Sequence, residues 1–314
     1  MKKEFSINKK YKKRRKGFID QIQLQTMILI GLLCLIVFSY FPMYGIIIAF
    51  KDYRVGITGI LDAPWVGFEN FKEFLEDEMF WHALKNTLGI NLLGLLIGFP
   101  APILFALLLN ELSNDMFKRV VQTISYLPHF ISWVVYGGLV ITILSPETGI
   151  VNFILLKLGI IKEAIMFMGE HRYFWWIAVF SGLLKELGWS AIIYLAAIAG
   201  IDPELYEAAT IDGANRFQKM RYITVPCISG TIVLLLVLAV SGMLGSGFDQ
   251  IWMLQNPLNV ESSEVLDTYM YKIGIGQMRF SYATAFGLTR SVLAIILLLI
   301  ANGIAKKITG KAFI

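Results

Sequence analysis

Six long apolar stretches restrict what this 314-residue chain can fold into. An α-helix needs about 20 apolar residues to cross the roughly 30 Å hydrocarbon core of a bilayer. A helix also pairs all of its backbone groups internally, which an isolated strand in lipid does not do. The sequence therefore predicts an all-α membrane protein with six transmembrane helices. Their approximate limits are residues 27–50, 87–109, 120–144, 173–199, 228–245 and 283–305.

Composition agrees with a membrane protein. Hydrophobic residues make up 56% of the chain and charged residues only 16%, whereas a soluble domain is about half apolar and about a quarter charged. The segments between the spans are too short to bury a sizeable core of their own. We therefore divide the chain into a basic tail over residues 1–20 and a membrane domain over residues 21–314.

Positive charge at the start of the chain sets the expected orientation. Nine of the 28 lysine and arginine residues precede Gly17, including the run KKYKKRRK. Because positively charged segments stay on the cytoplasmic side, we expect a cytoplasmic N-terminus and, with six spans, a cytoplasmic C-terminus. We interpret the tail as a topology anchor beside anionic lipid and not as a nucleic-acid-binding segment.

The connection over residues 200–227 is the most informative segment, and on this orientation it is cytoplasmic. It begins GIDPELYEAATIDGAN. Asp202 is suited to cap a helix whose first residue is Pro203. Ala208 and Ala209 favour that helix and leave it a smooth face, and Gly213 permits a tight turn after it. The segment predicts a small, rigid helix–turn–helix that offers little obstruction to a docking partner.

The spacing of residues in this connection resembles a known family motif: Glu-Ala-Ala, three residues, Gly, nine residues, Ile-x-Leu-Pro. The matching residues are Glu207, Ala208, Ala209, Gly213, Ile223 and Pro226, with Val225 in place of Leu. This motif marks the permeases of binding-protein-dependent ABC importers. Other segments, among them FPMYGIIIAFKDY, WVGFENFKEFL and GFDQIWMLQNP, are similar to oligosaccharide permeases of the LplB type, within the maltose-permease-like class.

This resemblance implies a type I ABC importer permease fold in the bacterial cytoplasmic (inner) membrane. The fold would have a five-helix core over about residues 83–306, one extra N-terminal helix, and a coupling helix that docks into an ATPase subunit. The implied ATPase-coupling residues are Glu207, Ala208, Ala209, Asp212, Gly213 and Arg216. The implied partners are a second, homologous permease, two ABC ATPase subunits and an extracytoplasmic solute-binding protein that delivers an oligosaccharide.

The same resemblance implies that the chain is not itself an enzyme. It lacks the G-x-x-x-x-G-K-[ST] phosphate-binding loop, so ATP and magnesium would be bound by the partner ATPase. The three histidines are scattered and do not have the spacing of a metal site. We expect no cofactor in this chain, and both plant-polysaccharide and host-glycan fragments remain open as substrates.

Charged residues within the predicted spans indicate a transport path or tight helix pairing. Lys185 and Glu186 lie near the middle of the fourth span, where each charge costs roughly 2.5–3.5 kcal/mol on insertion scales. Trp189 shares a helical face with them, and an aromatic ring beside polar groups suits a sugar. An ion pair that locks helices together is the alternative. Arg290 in the sixth span poses the same choice, with Glu186 as a possible partner.

The segment over residues 241–252 contains three glycines followed by aromatic residues. We interpret it as the outer end of the path or a gate, because an interrupted membrane helix is tolerated where it lines a cavity; close helix packing is the alternative. The complete set of candidate path residues is Lys185, Glu186, Trp189, Tyr194, Phe248, Asp249, Trp252, Tyr282 and Arg290.

Two other classes of protein were weighed against an importer permease. An ion-coupled secondary sugar transporter would need internal repeats and membrane-embedded acidic groups, and Glu186 is the one candidate for such a group. A membrane enzyme such as a glycosyltransferase would need clustered catalytic carboxylates or histidines at one interface, and the sequence shows no such cluster. The cytoplasmic motif favours the permease over both.

Overall fold

A computed structural model describes residues 21–22 and 24–309, and the regular structure in that part of the chain is helical. One antiparallel bridge within it joins Lys51 to Trp65. The basic tail predicted over residues 1–20 lies outside the described residues. The helical fold class predicted from the apolar stretches is confirmed.

The helices carry the following labels and bounds. In chain order they are α1 (Leu24–Phe50), α2 (Glu69–Glu76), α3 (Glu78–Asn110), α4 (Asp115–Phe130), α5 (Trp133–Ile143), α6 (Ile150–Lys157), α7 (His171–Ala199), α8 (Pro203–Ile211), α9 (Arg216–Ser241), α10 (Phe248–Leu254), α11 (Val260–Ser263), α12 (Leu266–Tyr271) and α13 (Phe280–Thr309). Helices α1, α3, α7, α9 and α13 are each long and apolar enough to cross a membrane.

The third predicted span, residues 120–144, is not one straight helix. Helices α4 and α5 meet there at an angle of 105°. Pro128 lies in a 3₁₀ turn over Leu127–Phe130, and proline cannot donate the backbone hydrogen bond that a continuing helix requires. Ser132 then caps α5, its Oγ accepting a hydrogen bond from the Val135 nitrogen at 3.4 Å. The six predicted spans therefore correspond to five single helices and one bent pair.

The fifth span also differs from the prediction, because α9 begins at Arg216 and not near residue 228. Asn215 and Gln218 form a capping box that starts the helix at this earlier point. A π turn over Met220–Thr224 precedes Pro226, and such turns commonly accommodate irregularities within long helices. The connection after α8 thus runs directly into a membrane helix.

Helix α7 lies at the centre of the bundle and contacts α3, α4, α9, α10 and α11. Tyr53, which follows α1, donates its backbone N–H to Ser281 at the start of α13. Asp267 joins Ser246, which follows the end of α9, to Arg290 in the first half of α13. Because α9 starts beside α8, the far ends of α1 and α13 lie at the end of the bundle that carries α8. We call this the α8 end, and the other the opposite end.

Between α9 and α13 the chain folds back into the bundle. Asp267 at the start of α12 pairs with Arg290, which lies 10 residues into α13, or about 15 Å along it. The side chain of Asn91 donates to the carbonyl oxygens of Met243 and Gly245, at 2.7 and 2.8 Å. These bonds satisfy backbone groups that are left unpaired where α9 ends, as an interrupted helix within a membrane requires.

Candidate coupling surface and transport path

Helix α8 forms as its sequence predicts. The Asp202 carboxylate accepts a hydrogen bond from the Glu204 nitrogen at 3.0 Å, and Pro203 is the first helical residue. The carboxylate pairs one of the N–H groups that are otherwise unpaired at a helix start, and Pro203 has no N–H to leave unpaired. Glu207 and Ala208 are exposed and Ala209 is partly buried. The helix therefore presents a compact, accessible surface at its own end of the bundle.

The turn after α8 depends on Gly213, whose φ angle is +77°. Backbone bonds from Gly213 to Thr210 (3.1 Å) and from Ala214 to Ala209 (2.9 Å) close the helix, as in a left-handed C-terminal cap. A Cβ added at Gly213 would meet nothing within 4 Å. The backbone conformation, and not lack of space within this chain, is what favours glycine here.

Helix α8 is held firmly to the base of α9. The Tyr206 hydroxyl lies 2.9 Å from the Oγ1 of Thr224, which is buried, and Lys219 Nζ donates to Thr210 Oγ1 at 2.6 Å. Of the other residues predicted for coupling, Asp212 and Arg216 are exposed around the same turn. The six predicted coupling residues thus lie on α8, in the turn after it or at the start of α9, and all except Ala209 are exposed.

Large apolar side chains are exposed around this turn. The exposed residues are Leu205, Ile211, Phe217 and Tyr222, with Ile211 88% exposed. Apolar side chains grouped in this way at the end of a bundle suit a protein partner better than water.

Lys185 is buried within the bundle. Its Nζ donates to the carbonyl oxygens of Pro128 (3.1 Å) and His129 (2.7 Å), at the break between α4 and α5. The same nitrogen lies 3.7 Å from a Glu186 oxygen and 5.5 Å from the centre of the Trp133 ring. These contacts favour the helix-pairing interpretation of Lys185, because its hydrogen bonds join α7 to the broken span.

Glu186 and Trp189 take part in a cluster that includes His129. The His129 Nδ1 lies 2.6 Å from Glu186 Oε2, and its ring stacks on Trp189 with centres 4.2 Å apart. Glu186 also lines a cavity of about 300 Å³, together with Asn91 and Gln250. This cluster offers a carboxylate, an imidazole and a partly exposed indole in one place.

Arg290 pairs with Asp267 and not with Glu186. The second oxygen of Asp267 accepts the Ser246 backbone N–H at 2.8 Å. One carboxylate thus joins α12, α13 and the chain that follows α9. These contacts favour the helix-pairing interpretation of Arg290, and its partner is Asp267, which the sequence did not indicate.

The aromatic residues after α9 form a second cluster. Phe248, Trp252 and Tyr271 have ring centres 5.1 to 5.3 Å apart, and Trp252 and Tyr271 are each 40% exposed. Asp249 is exposed beside them. We call Phe248, Trp252 and Tyr271 the aromatic platform. Partly exposed rings beside a carboxylate suit a sugar, which has apolar faces and polar edges.

The two tyrosines among the predicted path residues lie in the core. Tyr194 is buried among α3, α7 and α9. The Tyr282 hydroxyl is hydrogen-bonded to that of Tyr269, whose hydroxyl also donates to Asp77 at 2.5 Å. Burial and the Asp77 hydrogen bond raise the pKa of Tyr269. Both tyrosines are placed to hold helices together.

Sequence reasoning missed His129, Asp267 and Tyr271 as members of these clusters. His129 directly follows Pro128, and this interruption of an apolar stretch was the available signal. Asp267 and Tyr271 lie four residues apart in a polar connection between spans. Their helical spacing was visible in the sequence, but their partners lie on other helices and carry no local signal.

Comparison with known proteins identifies the family. Residues 81–310 match the family described as binding-protein-dependent transport system inner membrane component. The chain belongs to this family. The permease is 43% identical to Protein LplB of Bacillus subtilis over 90% of this chain and 88% of that one. It is also 43% identical to the polygalacturonan/rhamnogalacturonan transport system permease protein YteP of the same organism, over 96% of this chain and 94% of that one.

Solved structures agree with this assignment. A bacterial ABC transporter involved in the import of the acidic polysaccharide alginate contains a chain with a TM-score of 0.85 and 41% identity, matched over 94% of this chain and 98% of that one. An alginate transporter in complex with a pentasaccharide-bound periplasmic protein gives the same TM-score at 40% identity, over 95% of this chain and 98% of that one. The permease is therefore a membrane component of an ABC importer, and the predicted type I fold is confirmed.

Proposed function

We propose that this permease pairs with a second, homologous permease to form the membrane channel of an ATP-driven importer. Two ABC ATPase subunits bind ATP and magnesium, and an extracytoplasmic binding protein delivers an oligosaccharide. Support for the substrate class comes from relatives named for transport of polygalacturonan, rhamnogalacturonan and alginate. Support for a delivering protein comes from the related transporter that was crystallised with its periplasmic protein.

The observation that carries this proposal is the surface formed by α8 and its turn. Helix α8 is accessible, is fixed to the base of α9 by the Tyr206–Thr224 bond, and is bordered by exposed apolar side chains such as Ile211. We propose that it is the coupling helix, that it inserts into a cleft of an ATPase subunit, and that Glu207 contacts a basic group there. The α8 end, together with both chain termini, then faces the cytoplasm.

The clusters within the bundle support a division of roles among the candidate path residues. The substrate would contact the exposed groups: Glu186 and Trp189 near the break, and Phe248, Asp249 and Trp252 further toward the opposite end. Lys185, Tyr194, Tyr282 and Arg290 would hold the walls of the path in place, because their polar atoms are bonded within the bundle or their side chains are buried.

Reconstitution of the importer tests this function. The permease, co-expressed with a second permease and an ATPase from its own gene neighbourhood, should purify as one complex and take up an oligosaccharide only when ATP and the binding protein are present. Uptake against a gradient by this chain alone, or by the complex without ATP, would overturn the proposal.

A further inference from the structure

Lys272 is a charged residue beside the aromatic platform that the proposed mechanism has not used. It lies in the π turn Lys272–Gly276, directly after Tyr271. Its Nζ donates to Gln255 Oε1 at 2.7 Å, forms an ion pair with Glu264, and lies 6.0 Å from the centre of the Trp252 ring. The ammonium group is thus fixed in position next to the platform.

The two side chains of the ion pair, Lys272 and Glu264, differ in exposure. The Glu264 side chain is 5% exposed, and its Oε1 accepts a hydrogen bond from Thr268 at 2.7 Å. The Lys272 side chain is 38% exposed. An ammonium group has three N–H donors, and the bonds to Gln255 and Glu264 use two of them. The carboxylate is therefore enclosed while the lysine side chain is partly exposed, so the accessible member of this pair beside the aromatic rings is the cation.

The position of Lys272 along the helix indicates what this face meets. Asp267 lies five residues before Lys272 and pairs with Arg290. It is therefore level with a point about 15 Å along α13 from the start of that helix. The next residue after Lys272, Ile273, accepts the backbone N–H of Arg279, just before α13, at 3.2 Å. Lys272 therefore lies between the level of Arg290 and the opposite end of the bundle. A lysine tethered by Gln255 and Glu264 cannot extend freely toward a membrane surface, and an exposed ammonium facing lipid is costly. A water-filled path is an environment that suits this face.

We propose that Lys272 binds a carboxylate of the transported sugar, which makes the substrate an acidic oligosaccharide built from uronic acids. The pyranose ring stacks on Trp252 and Tyr271, the free N–H of Lys272 bonds the carboxylate, and Asp249 accepts hydrogen bonds from sugar hydroxyls. The inference rests on the proposed function, and it adds the chemical class of the substrate and the residue that selects it. A charge-assisted hydrogen bond of this kind is among the stronger polar contacts a path can offer.

Direct binding to the assembled importer tests this inference without the selectivity of the binding protein. The ligands are tetragalacturonate and the same tetrasaccharide with its carboxyl groups reduced to alcohols. We expect the wild-type complex to bind the acidic form at least tenfold more tightly. In Lys272→Gln this ratio should fall toward one, and in Lys272→Arg it should recover. Lys157→Gln is the matched control, since Lys157 also lies over an aromatic ring (Phe153), at 5.8 Å.

A variant that removes both charges of the ion pair separates the effect on sugar binding from an effect on folding. Glu264→Gln combined with Lys272→Gln leaves no unpaired buried carboxylate, and it should assemble normally yet lose the preference for the acidic form. Equal binding of the two sugars by wild type, no binding of either, or an unchanged ratio in the assembled double variant would each overturn the inference. ATP-driven uptake of a neutral oligosaccharide alongside any of these results would leave the proposed function standing.

Discussion

The Nζ of Lys185 lies 2.7 Å from the carbonyl oxygen of His129, and this bond joins the central helix to the break in its neighbour. A break inside a membrane leaves backbone carbonyls without their helical partners. The ammonium group supplies a donor to His129 and a second donor to Pro128, whose oxygen also accepts the Ile131 N–H at 3.1 Å. Lys185 thus replaces part of a helix hydrogen-bond ladder. Its charge is held in the bundle by backbone dipoles, with Glu186 nearby.

Replacing Lys185 with Met should destabilise the protein. The change removes the ammonium donor from the partly buried His129 carbonyl, and a loss of this kind costs about 1–3 kcal/mol. Thermal unfolding of the purified complex should shift to lower temperature, and the yield of assembled complex should fall. Lys162→Met, at an exposed position outside the helices, is the control and should change neither. Normal stability with a selective loss of uptake would favour direct substrate contact instead.

The Arg290–Asp267 pair should show strong coupling in a double-mutant cycle. Arg290→Gln or Asp267→Asn alone leaves one partly buried charge uncompensated, which costs about 3–5 kcal/mol. The double variant removes both charges and should recover much of that loss. The measurement is thermal stability of the complex for the four proteins. Additive effects of the two single changes would show that the pair does not act as a unit.

Gly213→Val should uncouple ATP hydrolysis from uptake. A β-branched residue is strained at a φ of +77°, and its bulk would point into the space where the ATPase docks. Gly230→Val on α9 is the control, because an added Cβ there also meets nothing within 4 Å but the backbone is ordinary helix. The ratio of sugar taken up to ATP hydrolysed should drop for Gly213→Val alone.

Glu207→Ala should give a milder form of the same defect. It would remove the charge-assisted hydrogen bond that we propose between Glu207 and the ATPase, worth about 1.5–3 kcal/mol, and leave the helix intact. The affinity of the ATPase subunit for the permease pair, measured by co-purification at increasing salt, should fall while membrane insertion stays normal. Wild-type retention of the ATPase at every salt concentration would argue against a docking contact at Glu207.

Trp252→Ala should raise the KM for uptake several-fold, since a contact with an aromatic ring is worth about 0.5–1.5 kcal/mol beyond its buried area. Trp252→Phe should retain most of the affinity, because it keeps a ring in the platform. Trp176→Ala is the control: this tryptophan is 45% exposed on α7, and its ring stacks on Phe180 and not on a ring of the platform. Equal effects of the two alanine changes would mean that the platform does not contact sugar.

Much of the fold followed from the sequence because its signals are local. Span length and the cap at Asp202 each depend on residues close together in the chain, and the structure contains both. The break in the third span was missed because residues 120–144 are apolar enough overall to resemble one span, although Pro128 lies within them. The partner of Lys185 was not predictable, since backbone carbonyls carry no side-chain signal. Asp267 and Arg290 lie on separate helices, and one sequence does not reveal which helices meet.

The length of α9 means that a small change in its tilt moves its far end a long way. The helix runs unbroken for 26 residues from Arg216 to Ser241, a length of about 39 Å. Its base is bonded to α8 through Thr224, and its far end leads directly into the chain that carries Trp252. For a rod of that length, a tilt of about 10° displaces Ser241 by about 7 Å, which is wider than a sugar ring. If α8 is the coupling helix, a small displacement of α8 would be magnified at the far end of α9 to about the size of one sugar unit.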